Sequence, residues 1–245
     1  MLERDLKYDL EEVNRLVRNR LSPWWEDIQN HVCQAAAEPT WEQLPAAVLA
    51  IYRYLGQQRG SSLRMAALFK MTHLASVIHE SVRDDEDGQI YDRDMQFSIL
   101  IGDYIYGSIL KLLVEIGADS LLDVFSDTIG QINEGLVMKY KLDSAPEEIL
   151  ARTRASLYQA AFTSAARLRG LSPEATTWYT KLGFHMGMAL EGHDLPELGA
   201  EMMNHCQISR DLFAFINQGR TTLSETALEM LILENLNQGL TRAAI

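Results

Sequence analysis

The sequence predicts an all-α fold. Three observations carry this: apolar residues recur at helical spacing along almost the whole chain, alternating strand patterns are nearly absent, and glycine and proline fall at helix-length intervals. At 245 residues with 47% hydrophobic and 23% charged residues, the chain is long enough to bury a substantial core and is neither disordered nor fibrous.

Leu6, Leu10, Val13 and Val17 mark one face of a first helix that stops before Ser22-Pro23. A second helix is expected over 26–37, halted by Pro39, and a third over 44–56, with Pro45 in its first turn and Gly56 near its end. A fourth covers 62–80. An acidic turn follows, and then a long helix over 94–116 ended by Gly117. Further helices fit 119–141, 146–169, 173–191, 197–216 and 222–238. Pro146 and Pro173 sit where a first helical turn accepts proline, with Ser144 and Ser172 as candidate caps. Gly170, Gly192, Gly219 and Gly239 punctuate the ends. No linker or tandem repeat interrupts the series. We therefore expect one domain over 1–245, a bundle of nine or ten helices with 1–38 as a helical hairpin packed on it.

The net charge of −12 argues against an electrostatic nucleic-acid binder. Cys33 and Cys206 have no CxxC spacing, so neither a disulfide framework nor a structural zinc site is indicated and a reducing cytosol fits. The charged, amphipathic N-terminus lacks a signal core, and no stretch approaches the ~20 apolar residues of a membrane span. A cytoplasmic protein without a transmembrane segment is expected.

The segment from Ala66 to Gly107 is the most informative. An apolar helix ends in His79-Glu80, followed by Asp84, Asp85, Glu86 and Asp87, and a second apolar run opens on Gly102-Asp103-Tyr104. Carboxylates massed at a helix end beside an apolar wall suit Mg²⁺ bridged to a phosphorylated apolar substrate. They equally suit an acidic turn between two core helices.

Residues 67–84 resemble the first acidic motif of the trans-isoprenyl diphosphate synthases, the polyprenyl synthetase family, in which an apolar helix ends in "I-H-D-D-x-x-D". Ser98–Ile105 is similar to that family's "A-V-L-x-G-D-Y-L", and Gly219–Ser224 to its "G-K-x-T-L-P". Asn133-Glu134-Gly135 and Ala155-Ser156-Leu157-Tyr158 give weaker matches, all in the family's order. The resemblance implies an isoprenyl-synthase fold and Mg²⁺ held by two facing D-D-x-x-D motifs on an allylic diphosphate. Metal there neutralises the departing diphosphate.

This chain departs from that pattern at every charged site. The first motif reads Glu80-Ser81-Val82-Arg83-Asp84, leaving Glu80, Asp84, Asp85 and Asp87 as candidate metal ligands. The second motif admits two registers. One runs from Leu182-Gly183 through Gly187 and Ala189 to Asp194; the other runs from Leu198-Gly199 to Asp211. If the chain is active, Glu80, Asp84, Asp194 and Asp211 are its catalytic candidates. The family's basic turn, "G-K-R-x-R-P", corresponds to Thr40–Pro45, where the proline is kept and Glu42 stands among lost cations.

These losses resemble the small, non-catalytic component of two-component heptaprenyl- or hexaprenyl-type diphosphate synthases. Such a subunit of a heteromeric polyprenyl diphosphate synthase, serving quinone side-chain synthesis beside a catalytic partner that supplies Mg²⁺, is the leading expectation. The alternatives are a divergent, active, homodimeric prenyltransferase and a helical isoprenoid-binding module. Family members dimerise through the Gly102-Asp103 helix, which makes Phe97, Asp103, Tyr104, Gly107 and Leu110 the expected interface. Lys139-Tyr140-Lys141 and Arg152-Thr153-Arg154 are basic runs that suit a diphosphate or a solvated helix face.

Overall fold

The structure, a computed structural model, describes residues 2–82, 93–142, 144–192, 195 and 198–217. The acidic turn with Asp84, Asp85 and Asp87, the candidate Asp194, the Gly219–Ser224 stretch and the expected helix over 222–238 lie outside the described residues. Within them every regular element is helical. In chain order these are α1 (Leu2–Arg20), α2 (Gln29–Ala36), α3 (Thr40–Tyr54), α4 (Arg59–Ser81) and α5 (Arg93–Glu115). They continue with α6 (Leu122–Lys141), α7 (Pro146–Leu150), α8 (Ser156–Leu168), α9 (Pro173–Glu191) and α10 (Gly199–Ile216).

Most boundaries fall within three residues of those expected, and the differences have local causes. A 3₁₀ turn at Asp119–Leu121 precedes α6, because Gly117 at φ +71° closes α5 just upstream. The helix expected over 146–169 is continuous but underwound in its middle, where Ala151–Ala155 form a π turn between α7 and α8. Ser172 caps α9, accepting from the Ala175 N–H at 3.2 Å, with Pro173 in the first turn. Ser144 is not the cap of α7; the extended residue there is Ala145, directly before Pro146. The third helix begins at Thr40, four residues before its expected start, so Pro45 lies inside α3.

The core is built around α3 and α4. Along α4, the residues from Met65 to Ile78 are all buried, which explains why this helix shows no polar face. One cluster of buried apolar side chains runs from Val13 and Val17 on α1, through Leu49 and Phe69, to Phe162 and Phe213. Phe69 meets Phe125 of α6 at 4.8 Å between ring centroids. Buried Asp9 draws α1 onto the α3–α4 connection by pairing with both Arg53 and Arg59. On the other side α9 approaches α8 closely, since a Cβ on Gly183 would come within 2.6 Å of the Tyr158 carbonyl oxygen. A smaller apolar cluster, Leu150, Ala155, Met188, Leu198 and Met202, joins α7, α9 and α10.

Candidate functional site

The residues singled out around Glu80 sit at one end of the bundle, where the C-termini of α4, α6 and α9 meet the N-terminus of α3 and the π turn. Glu80, in the last turn of α4, is flanked by two cations rather than by carboxylates. Lys139 Nζ, from the end of α6, donates to its Oε1, and Arg154 Nη2, from the π turn, reaches its Oε2 at 3.3 Å. The same guanidinium nitrogen pairs with Oε2 of Glu38, on the connection between α2 and α3, at 2.8 Å. Arg154 thus bridges two carboxylates from separate elements.

Next to this pair, Glu191 at the end of α9 accepts hydrogen bonds from the Thr40 hydroxyl and the Tyr158 phenol. The helix dipole disfavours a carboxylate at a C-terminus, so Glu80 and Glu191 both need these donors. His73, fully buried on α4, sets Nε2 3.6 Å from Glu38 Oε2.

Electrostatics distinguishes the three carboxylates. Burial raises the Glu80 pKa, but the Lys139 hydrogen bond and the Arg154 charge outweigh it and hold the carboxyl below its ordinary value. Burial wins at Glu38 despite Arg154, and at Glu191 despite Thr40 and Tyr158, and both rise. Burial also pushes His73 well down, so its ring is neutral.

Mg²⁺ requires several free oxygen ligands. Among the described residues no group of three or more His, Cys, Asp or Glu side chains is arranged to hold a metal ion. Glu80, whose two oxygens face Lys139 and Arg154, does not fit that role as placed.

The expected basic turn is also changed. Thr40–Pro45 is helical, and Glu42 pairs with Lys70 Nζ of α4 at 3.0 Å. Lys70 is almost fully buried, lies 4.0 Å from the Trp41 ring centroid, and is pushed down to about 8 by burial, against the pull of Glu42. The basic runs are engaged as well: Arg152 pairs with Glu134, whose neighbour Gly135 packs against Thr153.

Of the two second-motif registers, α9 brings its end into this cluster, through Glu191. Its Gly183 and Gly187 pack on Tyr158 of α8. Asp211 is exposed on α10, bonded by Gln207 one turn earlier. Glu38, Glu191 and Lys70 were not anticipated as members of this site. The one available signal was the position of Glu191 directly after the small-residue helix, two residues before His193-Asp194.

The second surface of interest is α5. Its inner side grips α4: a Cβ on Gly102 would lie 2.5 Å from His79 Nε2, Tyr106 stacks on the His79 ring at 5.4 Å, and Asp103 Oδ1 lies 3.4 Å from that nitrogen. Its outer side carries Leu100, Tyr104, Gly107, Lys111 and Val114 at spacings of four, three, four and three. Leu100 is 68% exposed and Val114 57%. Tyr104 and Gly107 therefore face outward, and Asp103 lies exposed at the edge. Phe97 and Leu110 are half-buried and pack against the core instead.

This two-sided apolarity makes Met95–Glu115 long and apolar enough to cross a membrane by length and composition, contrary to expectation, with 33% of the window buried. Beside it a groove of 460 Å³ is lined by Asn19, Arg20, Tyr104, Gly107, Ser108 and Lys111.

Comparison with known proteins accords with the fold and the motif order. The octaprenyl diphosphate synthase of Escherichia coli is 26% identical over 191 residues, covering 72% of this chain and 58% of that protein. This chain thus spans little more than half the length of that relative. Heptaprenyl diphosphate synthase component 2 of Geobacillus stearothermophilus is 26% identical over 240 residues, covering 91% of this chain and 72% of that protein. Two solved structures share the fold. Geranyltranstransferase of Thermotoga maritima has a TM-score of 0.72 at 17% identity, covering 97% of this chain and 100% of that one. The geranyl diphosphate synthase small subunit of Antirrhinum majus has a TM-score of 0.70 at 14% identity, covering 93% of this chain and 96% of that one. The polyprenyl synthetase family model matches residues 42–194, more than half of the chain and the stretch that holds Glu80, Lys139, Arg154 and Glu191, and the chain belongs to that family.

Proposed function

We propose that this chain is the non-catalytic or regulatory subunit of a heteromeric polyprenyl diphosphate synthase. The observation that carries this reading is the state of Glu80: the carboxylate where the first acidic motif begins is neutralised by Lys139 and Arg154. Glu42 adds to it, standing where a cation would meet the second diphosphate and engaging Lys70 instead.

The outward row on α5 supplies the surface for a partner. Two of the similar proteins are by name parts of multi-component enzymes, the heptaprenyl diphosphate synthase component 2 and the geranyl diphosphate synthase small subunit. In this reading the partner brings the intact acidic motifs and Mg²⁺, and this chain completes the assembly in the cytoplasm, on the route to a quinone side chain. The rival reading, a divergent Mg²⁺-dependent prenyltransferase, draws on the similarity to octaprenyl diphosphate synthase.

Purified protein assayed with an allylic diphosphate, isopentenyl diphosphate and Mg²⁺, alone and with a full-length synthase from the same genome, separates them. We expect no turnover alone and stimulated or length-shifted product with the synthase. Turnover by the lone chain, lost in Glu80→Ala, sinks the subunit reading.

A further inference from the structure

Where α9 and α10 meet, His185 and His205 turn their Nδ1 atoms toward one another at 2.8 Å. Phe184 stands edge-on to both rings, at centroid distances of 5.3 and 6.0 Å. The second nitrogen of His205, Nε2, faces Glu147 Oε1 of α7 at 3.8 Å. Glu201 on α10 adds negative charge near His205, and Lys181 on α9 adds positive charge near His185.

Two facing ring nitrogens need one hydrogen and one lone pair between them. The Glu147 carboxylate draws the His205 hydrogen to Nε2, which leaves its Nδ1 as the lone pair. The hydrogen between the rings then belongs to His185. The neutral imidazole is the form that ligates metal.

We propose that His185 and His205 form a two-imidazole site for a tetragonal divalent ion, copper(II) or nickel(II), that staples α9 to α10. Metal–nitrogen bonds of about 2.0–2.1 Å put two ligands at a right angle about 2.9 Å apart, and two tetrahedral ligands about 3.3 Å apart. The observed separation matches the right-angle pair, and copper(II) and nickel(II) favour that geometry. Metal entry requires the His185 hydrogen to move to its own Nε2 and both rings, with centroids now 4.9 Å apart, to tilt until their lone pairs converge on the ion. Glu147 Oε1, 3.8 Å from His205 Nε2, sets a negative charge opposite that nitrogen, which favours its carrying the hydrogen when Nδ1 ligates. His185 is half-buried, which leaves the ion's remaining positions to water. This site shares no residue with the Glu38–Glu80 cluster or with the α5 face.

The test titrates the whole protein with copper(II) against free glycine as competitor, followed by electron paramagnetic resonance and thermal melting. One equivalent bound with two imidazole nitrogens, and a melting temperature raised by the metal, are expected. His185→Ala and His205→Gln should each weaken binding by about 100-fold, and Glu147→Gln by about 10-fold. Far-ultraviolet circular dichroism without metal checks that these variants fold, and His205→Gln keeps a hydrogen-bonding group in the same space. His31→Ala should leave binding unchanged. Binding that survives the His185→Ala/His205→Gln double variant, or a bound copper without two nitrogens, overturns the proposal.

Discussion

Lys70 shows how one charge can be displaced within a fold without being lost. It lies buried on α4, where its ammonium sits over the Trp41 ring and meets Glu42 Oε1 at 3.0 Å. Its pKa is lowered to about 8, so between about 8 and the ordinary 10.5 the unfolded chain holds a proton that the folded chain has released. Stability therefore rises with pH across that window. Lys70→Met should abolish the rise, as read from urea unfolding at pH 7.5 and pH 10.

Glu80 carries the opposite sign. Its folded pKa lies below 4.5, so its stabilisation is fully present above the unfolded value and is lost as pH falls through the folded one. Glu80→Gln should cost about 2 kcal/mol at pH 7 by leaving Lys139 and Arg154 undercompensated, with the gap closing in acid. Residue types near the acidic motif were legible from the sequence; their partners were not. Glu38 and Glu191 lie 42 and 111 positions from Glu80, and only the folded chain brings them to Arg154 (80 − 38 and 191 − 80).

At the scale of elements, periodicity and punctuation carried most of the information. Pro173, Ser172, Gly117 and Gly170 act at the helix ends where they were expected, because their effects are local. The π turn at Ala151–Ala155 was not legible, because periodicity and punctuation do not mark it; this underwound turn carries Arg154, which pairs with Glu38 and Glu80. The contact between α8 and α9 depends on two missing side chains. Gly183→Ala would place a methyl 2.6 Å from the Tyr158 carbonyl and 2.8 Å from Phe162 Cβ, and backbone cannot yield as a flexible side chain does. We expect a loss of about 2–3 kcal/mol, read as a lower melting temperature, whereas Gly130→Ala on open α6 surface should stabilise slightly. The α5 helix was correctly placed, yet its faces were only half assigned. Exposure depends on how the helix is rotated against α4, which sets Phe97 and Leu110 inward and Leu100 and Val114 outward.

For the whole molecule, the all-α fold and the order of its motifs were legible because both follow from patterns continuous along the chain. The state of the site was not, because it depends on which charges pair. An excess of 12 negative charges coexists with a site that holds two of its cations among three carboxylates. The consequence is assembly-level. If the chain works beside a catalytic partner, disrupting the α5 row should lower product formation by the mixture without altering the fold of the isolated chain. Leu100→Glu tests this, with stimulated turnover and circular dichroism measured together; unchanged stimulation would place the contact elsewhere.

The exposed positions of α5 also read alike from either end. Counting outward from Gly107, Asp103 and Lys111 stand four residues away, and Leu100 and Val114 seven. An antiparallel helix crossing at Gly107 would set acid against base and apolar against apolar, with bare glycine at the point of closest approach. Such a palindrome does not discriminate between a second copy of itself and a similar helix on a relative. The free chain is then its own competitor, and the partner must win by concentration or affinity. Sedimentation should show self-association that weakens in Lys111→Asp and returns when Asp103→Lys is added.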